Sequence, residues 1–332
     1  MIRTTVIGAW PKVSGGPTGQ QLRTALHRHD RGEIDDDTLD DVFDATTRAA
    51  IGEMAVAGID VLNDGQIRWD DLFAPFARSW SGVSRGPLER YYDNNTYFRQ
   101  PVVAGPISSD GRTLVRDFET ARGATYRELK AAVCGPLTFA TLAVDEHYRS
   151  LERLTLAVAD ALAVEIAALG AAGAELVDVE DPALVAAAQH VDLAREAYLR
   201  IAAAGVPIAV QTYFFPADRV LESLASFPVA QIGIDLRSRG TTALRRLDAV
   251  KDRTIVLGVV DARNTRLETP GEVAGLIEEA LKLVPADRLR VAPTAGLEYL
   301  PHDVAVKKLD ALVAGAGAVQ GGKPSARAGA SA

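Results

Sequence analysis

Short runs of apolar, β-branched residues alternate along the chain with longer stretches rich in Ala, Leu, Glu and Arg. That order is the one expected of repeated βαβ units. Eight runs read as strands: 4–10, 59–64, 130–134, 175–179, 208–213, 231–236, 254–260 and 290–293. Helical stretches follow nearly all of them, most clearly at 38–57, 151–169, 184–204 and 270–283. Several strands stay apolar until their last residues, as strands buried on both faces must. Eight such units predict an α/β fold of the closed (β/α)8 TIM-barrel type rather than an open doubly wound sheet. No GxGxxG follows an early strand, which points the same way. Residues 82–109 break the pattern and, with Tyr91, Tyr92, Asn94, Asn95, Tyr97 and Phe98, read as a hairpin or loop inserted after the second unit. A single barrel is expected over 1–314, and the low-complexity composition of 315–332 predicts a disordered tail.

Charge narrows the partners. The formal net charge is −8, with acidic and basic residues interleaved. Nucleic acid and anionic membranes both require clustered cations, so neither is an expected partner. No apolar run reads as the roughly 20 residues that span a bilayer. The opening MIRTTVIGAWPK lacks the charged-then-apolar layout of a signal peptide. The one cysteine, Cys134, has no partner for an internal disulfide and belongs to no thiolate cluster. A cytoplasmic location is expected.

Barrel enzymes carry their chemistry at the C-terminal ends of the strands. Those ends read Gly8-Ala9-Trp10, Asp64-Gly65-Gln66, Cys134-Gly135-Pro136, Glu180-Asp181-Pro182, Gln211-Thr212-Tyr213, Asp235-Leu236-Arg237, Asp261-Ala262-Arg263 and Thr294-Ala295-Gly296. Any single acid here is about as well explained as a helix cap or an ion-pair partner of Arg237 or Arg263. Taken together, a ring of carboxylates and amides predicts a polar pocket, suited to an ammonium-bearing substrate or to a hard cation held by oxygens. Side chains alternate along a strand, so Gln211 and Tyr213 are expected to enter the barrel mouth together.

The same stretches carry a family resemblance. TTVIGAWPK, AGIDVLNDGQIRWDD, CGPLTF, VDVEDPAL and APTAGLEYLPHDVAVKKL resemble, in order, segments of the catalytic half of cobalamin-independent methionine synthases. RYYDNNTYFRQP, QTYFFP with FPVAQIGIDL, and GVVDARNTR are more similar to that family's non-catalytic N-terminal half. The matches run from Thr4 to about Leu309, one barrel where the long enzymes have two. The resemblance implies a zinc ion held by a His-x-Cys after the fifth strand, a Glu after the sixth and a Cys after the eighth. That zinc activates the substrate thiol as a thiolate. Here the matching positions are Gln211, Tyr213, Asp235 and Ala295, so zinc is not expected and no metal ligands are assigned. The family's Ser is Ala9, its substrate-gripping Glu is Gln66, and its Asp-Glu pair is reversed as Glu180-Asp181.

The expected activity is therefore a methionine synthase-like transfer of a methyl or other one-carbon unit, to or from a small amino-acid-like substrate, without catalytic zinc. Glu180, Asp181, Tyr213 and Asp235 are the candidates for acid–base work. Trp10, Gln66, Arg68, Asp70, Asn95, Tyr97, Gln211, Asp261 and His302 are the candidates for substrate binding. A folate or corrinoid is the expected methyl donor. The partners left open are a homo-oligomer, a separate methyl carrier and a separate zinc-bearing barrel. Two other readings stand beside this one: a non-catalytic partner or ligand-binding barrel, and a Mg- or Mn-dependent lyase or hydrolase using Asp64, Glu180, Asp181 and Asp235.

Overall fold

Hydrogen bonds between parallel strands close the chain into a ring. The computed structural model describes residues 2–319 apart from 14, 15, 93, 95 and 251. The first barrel strand, Arg3–Thr4, pairs with the eighth, Leu289–Pro293. The sheet then runs back through the seventh (Thr254–Val260), sixth (Gln231–Asp235), fifth (Ile208–Gln211) and fourth (Val177–Glu180) to Ala131–Cys134 of the third. The second strand, Val61–Leu62, closes the gap. It bridges Thr5 on one side and pairs with Glu128–Leu129, which leads into the third strand, on the other. All eight expected strands are present; the first, second, fifth and sixth are shorter than the apolar runs, the seventh has the expected bounds and the eighth begins one residue earlier. The chain is an α/β barrel of the TIM type.

Local chemistry fixes the helices that wrap it. Asp35 caps Asp36–Ala57 by accepting from the Thr38 N–H, and Gly58 ends that helix in the left-handed region. Thr269 and Glu272 form a reciprocal capping box at the start of Pro270–Leu281. The stretch 184–204, expected as one helix, is two. Ala183–Ala186 stops at Ala187, whose φ/ψ of −124°/49° is not helical, and Val191–Ala202 begins after a short 3-10 turn.

Leu151–Ala171 corrects the expectation that no stretch approaches bilayer length. Its 21 residues are long and apolar enough to cross a membrane by length and composition. In the fold it is a barrel helix packed against its neighbours Pro136–Leu142 and Val191–Ala202. Its buried Glu165 accepts hydrogen bonds from Trp80 Nε1 (3.0 Å), Ser109 Oγ (2.5 Å) and Thr113. A carboxylate satisfied by three neighbours marks a protein-facing side.

The inserted segment is a hairpin, Ser81–Arg90 against Tyr97–Ser108, extended by a short parallel strand, Val144–Asp145. It brings Tyr91 and Phe98 against Phe73, with Phe73 and Phe98 ring centroids 4.9 Å apart. Residues 315–319, expected in the tail from their composition, are helical. The last helix, His302–Val319, runs past Gly315, which is buried where a Cβ would meet Val273 at 2.4 Å. Helix packing against Pro270–Leu281 overrides the low-complexity signal there. Residues 320–332 lie outside the described residues.

Candidate active site

Two glycines let the loops after the first and eighth strands touch at the barrel mouth. A Cβ on Gly8, whose φ is +64°, would sit 2.8 Å from Gly296 Cα. Leu297 N then donates to Ala9 O at 2.9 Å. This contact carries Glu298 and Tyr299 over the mouth, where they meet Glu180 from the fourth strand. The hairpin supplies Tyr91, Tyr97 and Phe98 from the opposite side. The resulting cavity, about 600 Å³ including its open mouth, is also lined by Lys12, Gln66, Trp69, Asp70, Asp71, Phe73 and Tyr213.

Glu180 is a buried carboxyl on the cavity lining. It is 3% exposed, its Oε1 accepts from Gln66 Nε2, and its Oε2 accepts from the Tyr213 hydroxyl at 3.0 Å. The Tyr91 and Tyr213 hydroxyls lie 3.4 Å apart. Burial, followed by repulsion from Glu298 and Asp178, pushes the Glu180 carboxyl up to about 8, against the pull of the Tyr213 and Gln66 bonds. Burial pushes Glu298 up to about 7, and one of its oxygens, Oε2, is buried without a hydrogen-bond partner. Burial lowers Lys12 despite Asp70, Glu298, Asp64 and Asp71 nearby. The Lys12 ammonium donates to Gln66 O at 3.2 Å and to Trp69 O. Gln66 itself holds φ at +49°, braced by its N–H donating to Asp64 Oδ1 at 3.0 Å. A non-glycine residue in that region is strained, and such strain gathers at functional sites.

Of the residues read from the sequence, Glu180, Tyr213, Gln66, Asp70 and Tyr97 come together around this cavity. Asp70 sits at the rim, paired with Arg78 and with Arg85 at 2.9 Å. The structure places the others elsewhere, for identifiable reasons. Asp181 accepts from Thr138 N (2.8 Å), Thr138 Oγ1 (2.6 Å) and Tyr198 Oη (3.3 Å), which ties the fourth-strand loop to the neighbouring helix. Asp235 accepts from Ser238 Oγ at 2.6 Å and from the backbone of Phe214, Arg237 and Ser238, so it braces two loops. Arg68 turns outward to Asp40, Asp44 and Asp117. Trp10 and His302 pack edge to face, and both bond Glu53 Oε2, at 2.9 and 2.8 Å, behind the mouth. Asp261 Oδ1 accepts from Arg263 N at 2.9 Å within its own loop. Asn95 lies outside the described residues.

Gln211 and Tyr213 do point into the barrel, but at different depths. Gln211 Nε2 donates to Asp178 Oδ1 at 3.1 Å, whereas Tyr213 reaches Glu180. Asp178 and Glu180 are two residues apart on the fourth strand, so Gln211 belongs to the layer beneath the cavity. There Lys130 pairs with Asp178 at 2.5 Å. Cys134 is buried at the end of the third strand, and burial next to Asp181 and Glu180 holds its thiol well above the usual range. It is not poised as a nucleophile.

Lys12, Tyr91, Glu298 and Tyr299 are cavity residues that strand-end reading passes over. Lys12, Glu298 and Tyr299 lie past the three-residue segments read at the strand ends, and Tyr91 lies in the hairpin. The available signal was a charged residue in an otherwise apolar loop, WPK and GLEYLP.

The four positions matching the family's zinc ligands fit zinc poorly. Gln211 is engaged by Asp178, the Tyr213 phenol is held by Glu180, Asp235 is taken up by loop donors, and Ala295 offers no donor atom. Among the described residues, no group of three or more His, Cys, Asp and Glu side chains is placed to hold a metal ion.

A closed α/β barrel with an acidic, aromatic-walled cavity at its strand C-termini is the plan of a barrel enzyme acting on a small molecule. The chain belongs to the family of the cobalamin-independent synthase catalytic domain, whose model matches residues 2–318. It is 30% identical over 318 residues to the methionine synthase of Sulfurisphaera tokodaii, covering 95% of this chain and 91% of that one. It is 29% identical to the methionine synthase of Saccharolobus solfataricus, covering 95% and 94%. These relatives are of one-barrel length. A B12-independent methionine synthase of Shewanella sp. W3-18-1, solved in complex with selenomethionine, superposes with a TM-score of 0.85 at 23% identity. The match covers 97% of this chain and 98% of that one. The enzyme is thus a methyltransferase-like member of the methionine synthase family.

Proposed function

We propose that this enzyme transfers a methyl group to the sulfur of a small amino-acid thiol, with Glu180 as proton acceptor and without catalytic zinc. The observation that carries this reading is the Glu180 carboxyl, buried on the cavity lining, held by Gln66 and Tyr213 and raised to about 8. A free thiol titrates near 8.5, so a base of about 8 is matched to it. In the step, the thiol proton passes to a Glu180 oxygen as the sulfur forms its bond to the methyl carbon. The methyl–donor bond breaks and leaves its electron pair on the donor. Tyr213 and Gln66 hold the carboxylate in place before the transfer. The aromatic walls, with Phe73, Tyr91 and Phe98, exclude water from the reacting sulfur.

The family resemblance supports homocysteine as the acceptor and a folate as the donor, in the cytoplasm; a methyl-corrinoid is the alternative donor to be tested beside it. With L-homocysteine and either methylated donor, the purified chain is expected to form methionine at the same rate before and after exhaustive chelation. Turnover that disappears on chelation and returns only with added zinc would overturn the zinc-free reading.

A further inference from the structure

We infer that Glu298 and Lys12 together form a two-point anchor for the zwitterionic head of an α-amino acid, with Glu298 taking the ammonium and Lys12 the carboxylate. This rests on the proposed function, whose substrate it places in the cavity.

Glu298 lines the cavity wall; the Tyr299 hydroxyl interacts with its carboxyl, yet its buried Oε2 is left without a hydrogen-bond partner. A buried carboxylate oxygen without a donor costs free energy comparable to a lost charged hydrogen bond. The one lysine that lines the cavity does not relieve it. The Lys12 ammonium has three N–H groups, and two are spent on the carbonyls of Gln66 and Trp69. The third remains for a group in the cavity. The two side chains are close enough that each shifts the other's proton affinity, yet they form no ion pair. A cation held by two backbone carbonyls and an anion with an open oxygen, lining one cavity, offer one partner each to the carboxylate and the ammonium of a free amino acid. Gln66, in contrast, carries no charge, and its amide nitrogen donates to Glu180. Gly296 is part of the same device, because a Cβ there would lie 2.0 Å from Glu298 Oε2.

The test is calorimetric titration of the full chain with L-methionine and with two analogues, one lacking the amino group (methylthio-butanoate) and one lacking the carboxyl (methylthio-propylamine). Glu298→Gln is expected to weaken L-methionine by roughly tenfold to a hundredfold and to leave the desamino analogue unchanged. Lys12→Met is expected to weaken L-methionine and leave the decarboxy analogue unchanged. Unaltered binding of the insensitive analogue also reports that each variant is folded. L-Methionine binding unchanged by Glu298→Gln, or losses equal for all three ligands, would overturn the anchor while leaving the proposed function standing. Wild-type protein that binds none of the three would instead overturn the proposed function.

Discussion

Replacing Glu180 with Gln is expected to cut methyl transfer by roughly a hundredfold to ten-thousandfold, the usual contribution of a positioned proton acceptor. The amide keeps the volume and can still accept from the Tyr213 hydroxyl. The loss should therefore fall on kcat rather than on folding or on KM. The variant removes a carboxyl whose ionised form burial disfavours, so its thermal stability should equal or exceed the parent's near neutral pH. Single-turnover measurement of labelled methyl transfer separates this chemical step from product release. A Glu180→Gln variant within a few-fold of the parent rate would remove Glu180 from the chemistry.

The largest effect on stability is expected at Lys308, far from the reaction. Its side chain is fully buried on the last helix, and its ammonium is completely satisfied. It donates to Arg266 O at 2.7 Å and to both oxygens of Glu268, at 3.2 and 2.9 Å. Glu268, 3% exposed, also accepts from Asp261 N at 2.9 Å, which fixes the loop after the seventh strand. Lys308→Met leaves that carboxylate buried without its ion-pair partner. The expected cost is about 3–5 kcal/mol, a large share of the stability of an ordinary domain. Urea unfolding should show a lower midpoint at unchanged slope. Pairing Lys308→Met with Glu268→Leu should recover most of the loss, because an apolar pair has no charge to desolvate. A single variant within about 1 kcal/mol of the parent would contradict this.

The barrel was legible because its cause is periodic. Short β-branched runs followed by polar residues occur eight times, and each became a parallel strand. The hairpin over Tyr91 and Phe98 was legible because it interrupted that rhythm. The site was only half legible. Glu180, Gln66 and Tyr213 stand at strand ends and meet in the cavity. Asp181 and Asp235 stand at strand ends too, but Thr138, Tyr198 and Ser238 claim them. Sequence position cannot separate a carboxylate that faces substrate from one that braces a loop, because both require an acid just past a strand. Arg68, in the resembling stretch IRWDD, is drawn away by three aspartates on two outer helices. Lys12 and Glu298 escaped notice for the opposite reason. They reach the cavity through a long-range contact, Gly8 on Gly296, which no local pattern encodes.

The most direct test of the account is the pH dependence of kcat/KM for methionine formation by chelator-treated protein. In the proposed step Glu180 must be ionised to accept the thiol proton, and burial raises its pKa to about 8. The rate should therefore be low near pH 6, climb through an apparent pKa of about 8 and level above it, with that limb lost in Glu180→Gln. A rate flat from pH 6 to 9, or one that appears only when zinc is restored, would contradict a site in which a buried carboxylate does the work of the metal.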